Sequence, residues 1–204
     1  PMPERMQTPP RMAVGSGVLA GRQARMQSAD AVPTLEPTPA NLFTRAGVGL
    51  TGVSSGSSSL GDVDGDGALD LVITGEDANR DPTATLYLGD GTGGFTDAQA
   101  GLTGVYDGSS SSLGDVNGDG DLDLVITGSV GFYRDRTATL YLGDGTGGFT
   151  DAEAGLTGVY DGSSSLGDVD GDGNLDLVIT GRRTATLYLG DGDGGFTDAE
   201  AGLT

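Results

Sequence analysis

Four residue types are missing from this 204-residue chain, namely cysteine, histidine, tryptophan and lysine, so all ten basic residues are arginine. Without cysteine there is no disulfide framework, no thiol nucleophile and no zinc-thiolate site. Without histidine the chain lacks the usual general base and the commonest transition-metal ligand. The serine runs at 57–59, 109–112 and 163–165 therefore have neither histidine nor lysine to activate them as nucleophiles. The composition predicts that the protein is not an enzyme.

The formal charge of −20 is unevenly distributed along the chain. Residues 1–45 carry five Arg and three acids, a charge of +2, whereas the remainder carries five Arg and 27 acids, a charge of −22. A surface this acidic disfavours nucleic acid and anionic membranes as partners. We interpret the excess as a solubilising surface, and the Asp-rich, Lys-free bias also fits a salt-loving source.

Residues 1–42 differ in composition from everything that follows, because they hold all four Met and most of the Pro. They show no sustained period of two or 3.6, so we predict a disordered or irregular leader. A signal peptide is the weaker interpretation, since Arg22 and Arg25 closely follow the short apolar run at 13–20. No stretch of the chain approaches the length of a transmembrane helix.

An acidic loop occurs three times, as DVDGDGALD at 62–70, DVNGDGDLD at 115–123 and DVDGDGNLD at 168–176. Carboxylates or a carboxamide occupy its first, third, fifth and ninth positions, and the seventh offers a backbone carbonyl. Oxygen ligands at this density suit Ca²⁺, and the glycines at the fourth and sixth positions permit the positive φ angles of a tight loop. We therefore predict Ca²⁺ as the cofactor, with these ligand positions: Asp62, Asp64, Asp66, Ala68 and Asp70; Asp115, Asn117, Asp119, Asp121 and Asp123; Asp168, Asp170, Asp172, Asn174 and Asp176.

EF-hand loops begin in a similar way but close with Glu at the twelfth position. Here that position is Ile73, Ile126 or Ile179, within a strand pattern, so a calcium site between two strands is favoured. The alternative is a turn of Asp and Gly residues that binds no metal. If calcium binds, we expect it to serve structure rather than catalysis.

The acidic loops are spaced 53 residues apart, and each belongs to a unit of short strand patterns. Residues 69–74 (LDLVIT) and 84–88 (ATLYL) alternate apolar and polar positions with the period of a strand. The GDGTGG segment is typical of a tight turn, residues from Phe95 (FTDAQAGLT) form a weaker strand pattern, and SSSLGDV leads into the loop. The sequence thus predicts an all-β protein with four strands per unit.

Four short strands per unit match the blade of a β-propeller. The pattern GDxDGDGxxDLVITG followed by LYLGDGTGGF resembles the FG-GAP/VCBS repeat, which forms the blades of integrin α-subunit propellers and occurs in many secreted bacterial proteins. The resemblance covers residues 43–204. It implies a Ca²⁺ site in the loop between the first and second strands of each blade, with Asp70, Asp123 and Asp176 as bidentate or closing ligands and Asn117 as an ordinary variant.

The number of units is the unusual feature. Four copies of the outer-strand motif, beginning at Phe43, Phe95, Phe149 and Phe196, accompany three acidic loops, which predicts three blades plus a surplus outer strand. A closed propeller needs about four to eight blades, and open sheet edges are rarely tolerated. We therefore predict that two chains close a six-bladed ring as a homodimer. The alternative is a monomer in which residues 1–42 supply the missing blade.

Three inserts between the second and third strands vary in length while their flanks barely change, and they hold every Arg after residue 45. Variable loops on a rigid scaffold are where binding usually resides. We predict a ligand site for an acidic or sugar-like group among Arg80, Phe132, Tyr133, Arg134, Arg136, Arg182 and Arg183. The alternative, which the sequence supports equally, is that these Arg residues only offset local acidity and that the loops tolerate changes in length. The repeated Tyr87, Tyr141 and Tyr188 are interpreted as packing between blades.

We expect a module that binds a protein or glycan, and we place it outside the cell or at the cell surface because abundant calcium and an acidic, cysteine-free surface go together there. A purely structural, recently amplified repeat without a specific ligand is the alternative, because the copies are nearly identical. An enzyme that uses paired Asp near the propeller axis ranks third.

Overall fold

A computed structural model of the chain describes residues 49–106, 109–131 and 135–200. The chain divides into two units, residues 1–44 and 45–204, and every described residue belongs to the second. The predicted leader and residues 43–48 of the outer-strand copy that begins at Phe43 therefore lie outside the described residues, and the last three residues of that copy, 49–51, are not in a strand. Within the described ranges the chain forms strands and turns but no helix. These ranges therefore contain no helix that could cross a bilayer. The prediction of an all-β chain is confirmed.

The described residues form three four-stranded antiparallel sheets, which we name blades 1, 2 and 3. Blade 1 contains β1 (Ser54–Gly61), β2 (Asp70–Glu76), β3 (Pro82–Gly89) and β4 (Phe95–Asp97). Blade 2 contains β5 (Ser110–Gly114), β6 (Asp123–Val130), β7 (Asp135–Gly143) and β8 (Phe149–Asp151). Blade 3 contains β9 (Ser163–Gly167), β10 (Asp176–Gly181), β11 (Thr184–Gly190) and β12 (Phe196–Asp198). Each blade pairs its strands in chain order, so it is built from one continuous segment.

The two central strands of each blade follow the alternating segments predicted from sequence. In blade 1, Val72 pairs with Leu86 and the adjacent Leu71 pairs with Tyr87. Because successive side chains of a strand point to opposite faces, these two pairs lie on opposite faces of the sheet. The same register recurs in the other blades. Each blade therefore has two apolar faces and needs a neighbour on both sides.

The outer strands are shorter than predicted. Only Phe95–Asp97 of the nine-residue FTDAQAGLT segment pairs with β3. Beyond it, Gln99 has a φ of 53° and donates its N–H to Asp97 Oδ1 at 2.8 Å, and Gly101 has a φ of 71°. Left-handed residues leave the extended conformation, so the prediction of a strand past Asp97 was wrong.

Consecutive blades pack face to face. One buried cluster joins Val63, Val72 and Leu86 of blade 1 to blade 2 through Leu124, Ile126 and Tyr141. A second cluster joins blades 2 and 3 with the equivalent side chains: Val116, Val125, Leu140, Leu177, Ile179 and Tyr188. We call the face that meets the preceding blade the leading face (the Leu124, Ile126 and Tyr141 side) and the face that meets the following blade the trailing face (the Val63, Val72 and Leu86 side).

Serines and tyrosines complete these joints with hydrogen bonds. Ser59 Oγ lies 2.8 Å from both the carbonyl and the hydroxyl oxygen of Ser111, and Ser112 repeats the contact with Ser164 at 3.0 and 2.8 Å. The Thr103 N–H, which precedes blade 2, donates to the Tyr141 hydroxyl at 3.1 Å. The serine runs thus line the contact between inner strands, and Tyr141 packs between blades 1 and 2 as predicted.

Candidate metal centres

Each acidic loop connects the first strand of a blade to the second. The loop of blade 1 follows β1 at Asp62 and ends where β2 begins at Asp70. Its two glycines have φ angles of 73° (Gly65) and 87° (Gly67), and the equivalent glycines of the other loops lie between 74° and 96°. These angles are the left-handed conformations for which glycine was expected, because a Cβ would disfavour them.

The aspartate at the ninth position is buried and joins three parts of its blade. Asp70 is 1% exposed, and its Oδ2 accepts the Val63 N–H while its Oδ1 accepts the Gly89 N–H, each at 2.8 Å. Gly89 is the last residue of β3, so this carboxylate ties the start of the loop to a strand 19 residues away. Asp123 and Asp176 make the same pair of contacts at 2.7–3.0 Å.

The first, third and ninth positions bring their carboxylates together. One oxygen from each of Asp62, Asp64 and Asp70 lies within 4.8 Å of the other two, and the equivalent residues of blade 3 (Asp168, Asp170 and Asp176) form the same cluster. In blade 2 the third position is Asn117, which supplies a carbonyl oxygen instead of a carboxylate. Three oxygens at this separation are the core of the predicted calcium ligand set.

The fifth position has a different local role. Asp66 Oδ1 accepts the Ala68 N–H at 2.7 Å, Asp119 Oδ1 accepts the Asp121 N–H at 2.9 Å, and Asp172 Oδ1 accepts the Asn174 N–H at 2.8 Å. These contacts close the turn between the fifth and seventh positions, and the fifth-position acids of blades 1 and 3 lie outside the two clusters of three carboxylates. In two of the loops the second carboxylate oxygen accepts an amide N–H as well, since Asn117 Nδ2 donates to Asp119 Oδ2 at 2.8 Å and Asn174 Nδ2 donates to Asp172 Oδ2 at 3.0 Å.

Charge and burial at these loops favour a bound cation. Asp62 Oδ1 is buried and has no hydrogen-bond partner, which is a costly arrangement for a carboxylate oxygen unless a cation binds it. Burial, together with the negative charges of Asp66, Asp70 and Asp62, raises the pKa of Asp64 above its usual value. A divalent cation would pair with this unpartnered oxygen and relieve the repulsion between the carboxylates, so the donor set fits Ca²⁺.

Position within the chain changes the environment of otherwise equivalent loops. Burial raises the pKa of Asp123 in the central blade, with Asp119 and Asp115 adding to the effect. In blade 3 the hydrogen bond from the Gly190 N–H lowers the pKa of Asp176 instead.

The acidic loops also differ in what covers them. The β7–β8 turn of blade 2 packs on the loop of blade 1, where a Cβ on Gly147 would lie 4.0 Å from Asp64 Cβ. No turn covers the third loop in this way among the described residues.

The predicted ligand residues lie at the other end of the blades, between the second and third strands. Arg80 (φ 68°) and Arg183 (φ 62°) are exposed in their turns, and Arg136 is exposed on β7. The guanidinium carbon of Arg182 lies over the ring of Tyr160, 6.0 Å from its centroid. The backbone N–H of Arg182 donates to the Tyr160 carbonyl at 2.8 Å. The insert of blade 3 is thus joined to the link between blades 2 and 3. The remaining predicted residues (Phe132, Tyr133 and Arg134) lie outside the described residues.

The aspartates of the β3–β4 turns were not singled out from the sequence. Asp90 Oδ1 accepts the N–H groups of Thr92 and Gly94, each at 2.8 Å, and these bonds lower the Asp90 pKa below its usual value. In blade 2 the Thr146 hydroxyl and the N–H groups of Thr146 and Gly148 donate to Asp144 and lower its pKa. In blade 3 the N–H groups of Asp193 and Gly195 do the same for Asp191. The recurrence of Asp at the start of each GDGTGG-type turn was the available signal. These residues organise turns and are not metal candidates.

Comparison with known proteins relates the chain to a family of repeats. The FG-GAP-like repeat family matches residues 62–126 and 168–204, together half of the chain. A search of curated proteins finds no match. Among solved structures, the chain is similar to a lectin from Agrocybe aegerita, described as recognising non-reducing terminal N-acetylglucosamine. The identity is 24%, the TM-score is 0.43, and the match covers 68% of this chain and 36% of the lectin chain. The chain therefore spans about a third of that protein's length.

Repeated four-stranded antiparallel blades, each with an acidic loop between its first two strands, define a repeat protein assembled from propeller-type blades. The family match makes the assignment specific: the chain belongs to the FG-GAP-like repeat family. The predicted resemblance to FG-GAP repeats is confirmed.

Proposed function

We propose that this protein is a calcium-binding module that binds a protein or glycan ligand, with one structural Ca²⁺ in each blade. The observation that carries the proposal is the acidic cluster of the first loop, where Asp62, Asp64 and Asp70 converge within 4.8 Å and Asp62 Oδ1 is buried without a hydrogen-bond partner. The predicted loop residues would hold the ion, which would neutralise their charge. The loops also connect the first two strands of each blade, so the ion would stabilise the scaffold rather than act in chemistry.

The ligand site is proposed at the opposite end of the blades. Exposed Arg residues there contrast with the acidity of the rest of the chain, and a guanidinium group binds carboxylate and sugar hydroxyl oxygens well. The stacking of Arg182 on Tyr160 supports this location, because it holds one guanidinium in place beside an aromatic ring. Adhesion outside the cell, where calcium is abundant, is the setting we propose for this module.

We also propose that the functional unit is a closed ring made by self-association. Each described blade has two apolar faces, and three blades are fewer than the four or more that propellers use. A homodimer would have six blades, within the usual range, whereas a trimer would have nine.

Calorimetric titration of chelator-stripped protein tests the calcium proposal. We expect uptake of about one Ca²⁺ per acidic loop and a higher unfolding temperature in calcium than in chelator. Asp62→Ala should abolish uptake at one site, whereas the control Asp135→Ala removes an exposed carboxylate outside the loops and should leave the titration unchanged. Absence of any uptake by the parent protein would refute the proposal.

A glycan array and a panel of extracellular proteins, both probed with and without calcium, test the ligand proposal. We expect binding that needs calcium and is lost in Arg182→Ala/Arg183→Ala. The control Thr150→Ala changes an exposed outer-strand residue of blade 2, far in sequence from the inserts, and should bind as the parent does.

The second candidate function is a purely structural repeat assembly. The near identity of the three copies favours it, because recent amplification multiplies a scaffold before any ligand is selected. A parent protein that takes up calcium but binds nothing on the array or the protein panel supports this candidate over the first.

A further inference from the structure

Three large apolar side chains are strongly exposed among the described residues, and all three lie on faces without a neighbouring blade. Leu60 and Leu69 are 59% and 58% exposed on the leading face of blade 1. Val169 is 59% exposed on the trailing face of blade 3. Their equivalents inside the chain are covered, since Val63 and Val116 are 3% and 2% exposed.

The joint between blades 1 and 2 shows what such leucines contact when a neighbour is present. Leu113 and Leu122, the equivalents of Leu60 and Leu69, lie over Gly61 of the preceding blade. A Cβ placed on Gly61 would lie 2.7 Å from Leu122 Cδ1 and 3.0 Å from Leu113 Cδ1. Glycine at this position therefore makes room for the two leucines of the next blade.

The joint between blades 2 and 3 repeats the arrangement. A Cβ on Gly114 would lie 2.9 Å from Cδ1 of both Leu166 and Leu175. Gly167 is the third glycine of this series, and apart from its chain neighbours no described residue has an atom within 4 Å of its Cβ position. Blade 3 thus presents the glycine recess of a joint, and blade 1 presents the pair of leucines that fills it.

Two further contacts of the internal joints are missing at the same two faces. A Cβ on Gly104, in the link before blade 2, would lie 2.3 Å from the Pro82 carbonyl oxygen of blade 1. A Cβ on the equivalent Gly52, before blade 1, would have no contact within 4 Å in the part of the chain that the structure describes. In the serine contacts, Ser110 and Ser111 are 8% exposed. Their equivalents on the outer faces, Ser163 and Ser58, are exposed.

We propose that a second copy of this chain occupies these faces, with the leading face of blade 1 of one copy docked on the trailing face of blade 3 of the other. Leu60 and Leu69 would fill the recess at Gly167 and cover Val169, as their equivalents do within the chain. This contact rests on the ring proposed above and names the residues that would close it. It does not depend on calcium or on a ligand. The contact is head to tail, so two copies close it twice.

The absence of cysteine permits a direct test by disulfide cross-linking. In the two internal joints the Cβ position of the recess glycine lies 3.9 and 3.8 Å from Cβ of Leu113 and Leu166, which is close to the mean Cβ separation of about 3.8 Å in disulfides. The full-length double variant Leu60→Cys/Gly167→Cys should form a covalent dimer under mild oxidation, visible on a non-reducing denaturing gel and lost on reduction. The single variants Leu60→Cys and Gly167→Cys should remain monomeric on the gel.

An internal control uses the same pair of residue types within one chain. Gly61→Cys/Leu113→Cys should form a disulfide inside the chain and leave its mass that of a single chain. Any dimer from a single-cysteine variant would indicate a two-fold contact between like faces and overturn the head-to-tail assignment. A double variant that does not cross-link, or that closes only within one chain, would also overturn it.

Light scattering on the unmodified protein separates failure of the contact from failure of the ring. If the parent protein is a dimer but the double variant does not cross-link, the proposed ring stands and only the contact between Leu60 and Gly167 is refuted. A parent that is monomeric at tens of micromolar would refute both, and residues 1–48 would become the candidate cover for these faces.

Discussion

At the scale of single residues, one carboxylate per blade does more than its position in a metal motif suggests. The ninth-position aspartate accepts one N–H from the start of the loop and another from the end of the third strand, while its side chain is almost fully buried. Calcium would add a third interaction to these two. The residue therefore holds the blade together both with and without the ion.

Asp123→Ala should destabilise the protein even when no calcium is present. The change leaves the buried N–H of Val116 and the half-buried N–H of Gly143 without an acceptor inside blade 2, and two such unpaired donors cost about 3 kcal/mol together. Urea unfolding in excess chelator measures this free energy of unfolding. The control Asp119→Ala removes an exposed carboxylate from the same loop and should cost less than about 1 kcal/mol. Equal losses in the two variants would contradict the assigned role of Asp123.

At the scale of elements, the turn between the third and fourth strands is organised by its first aspartate. Asp90, Asp144 and Asp191 each accept two N–H groups across the turn, and all three have a pKa below the usual value. A carboxylate whose pKa is lower in the folded than in the unfolded state adds stability above its unfolded pKa. That contribution is lost as pH falls through the folded pKa.

We therefore expect the unfolding temperature to fall as pH drops below about 4, the ordinary pKa of Asp. In Asp90→Asn/Asp144→Asn/Asp191→Asn an amide oxygen still accepts the turn hydrogen bonds but cannot be protonated in this range, so the fall should be less steep. Calorimetry in chelator between pH 5 and pH 2.5 compares the two proteins, and their other acids are shared. Parallel curves would show that the turns do not contribute to acid unfolding.

Prediction of the elements from sequence succeeded where local pattern decides conformation. The LDLVIT and ATLYL segments are strands, as their period of two predicted, and the glycines of the acidic loops have the expected positive φ angles. The outer strand was predicted too long, since Gln99 adopts a left-handed conformation that its residue type does not favour. The bond from Asp70 to Gly89 was also not predictable, because strand pairing brings together residues that are 19 positions apart.

At the scale of the whole molecule, the stack of blades places equivalent residues in two environments, covered inside the stack and open at its ends. The recess glycine is filled at Gly61 and Gly114 by leucines of the following blade and is open at Gly167. The burial of the acidic loops also differs between blades, because Asp62 and Asp64 are half-buried whereas Asp168 and Asp170 are exposed. The two ends of the stack are therefore incomplete copies of its interior.

Valine at two of these glycines should separate packing within the chain from contact between chains. Gly114→Val inserts a side chain between blades 2 and 3 and should lower the free energy of unfolding by about 1–3 kcal/mol, the usual cost of overpacking. The Cβ position of Gly167 has no contact within 4 Å among the described residues, so at a protein concentration where the parent is monomeric the unfolding of Gly167→Val should match the parent's. At higher concentration, light scattering should show that it no longer dimerises. A Gly167→Val protein that dimerises like the parent would contradict the proposed contact.

The sequence by itself determined the repeat, the four-strand blade and the carboxylates that converge in the acidic loops of blades 1 and 3, because these features depend on alternation, turn residues and spacing within one short loop. Only the tertiary structure decided which faces are covered. Leu60, Leu113 and Leu166 occupy the same SSSLGD context, yet Leu60 is 59% exposed while the other two pack on glycines of the preceding blade. Identical local sequences cannot encode different burial, so the difference comes from the neighbour that each blade has or lacks.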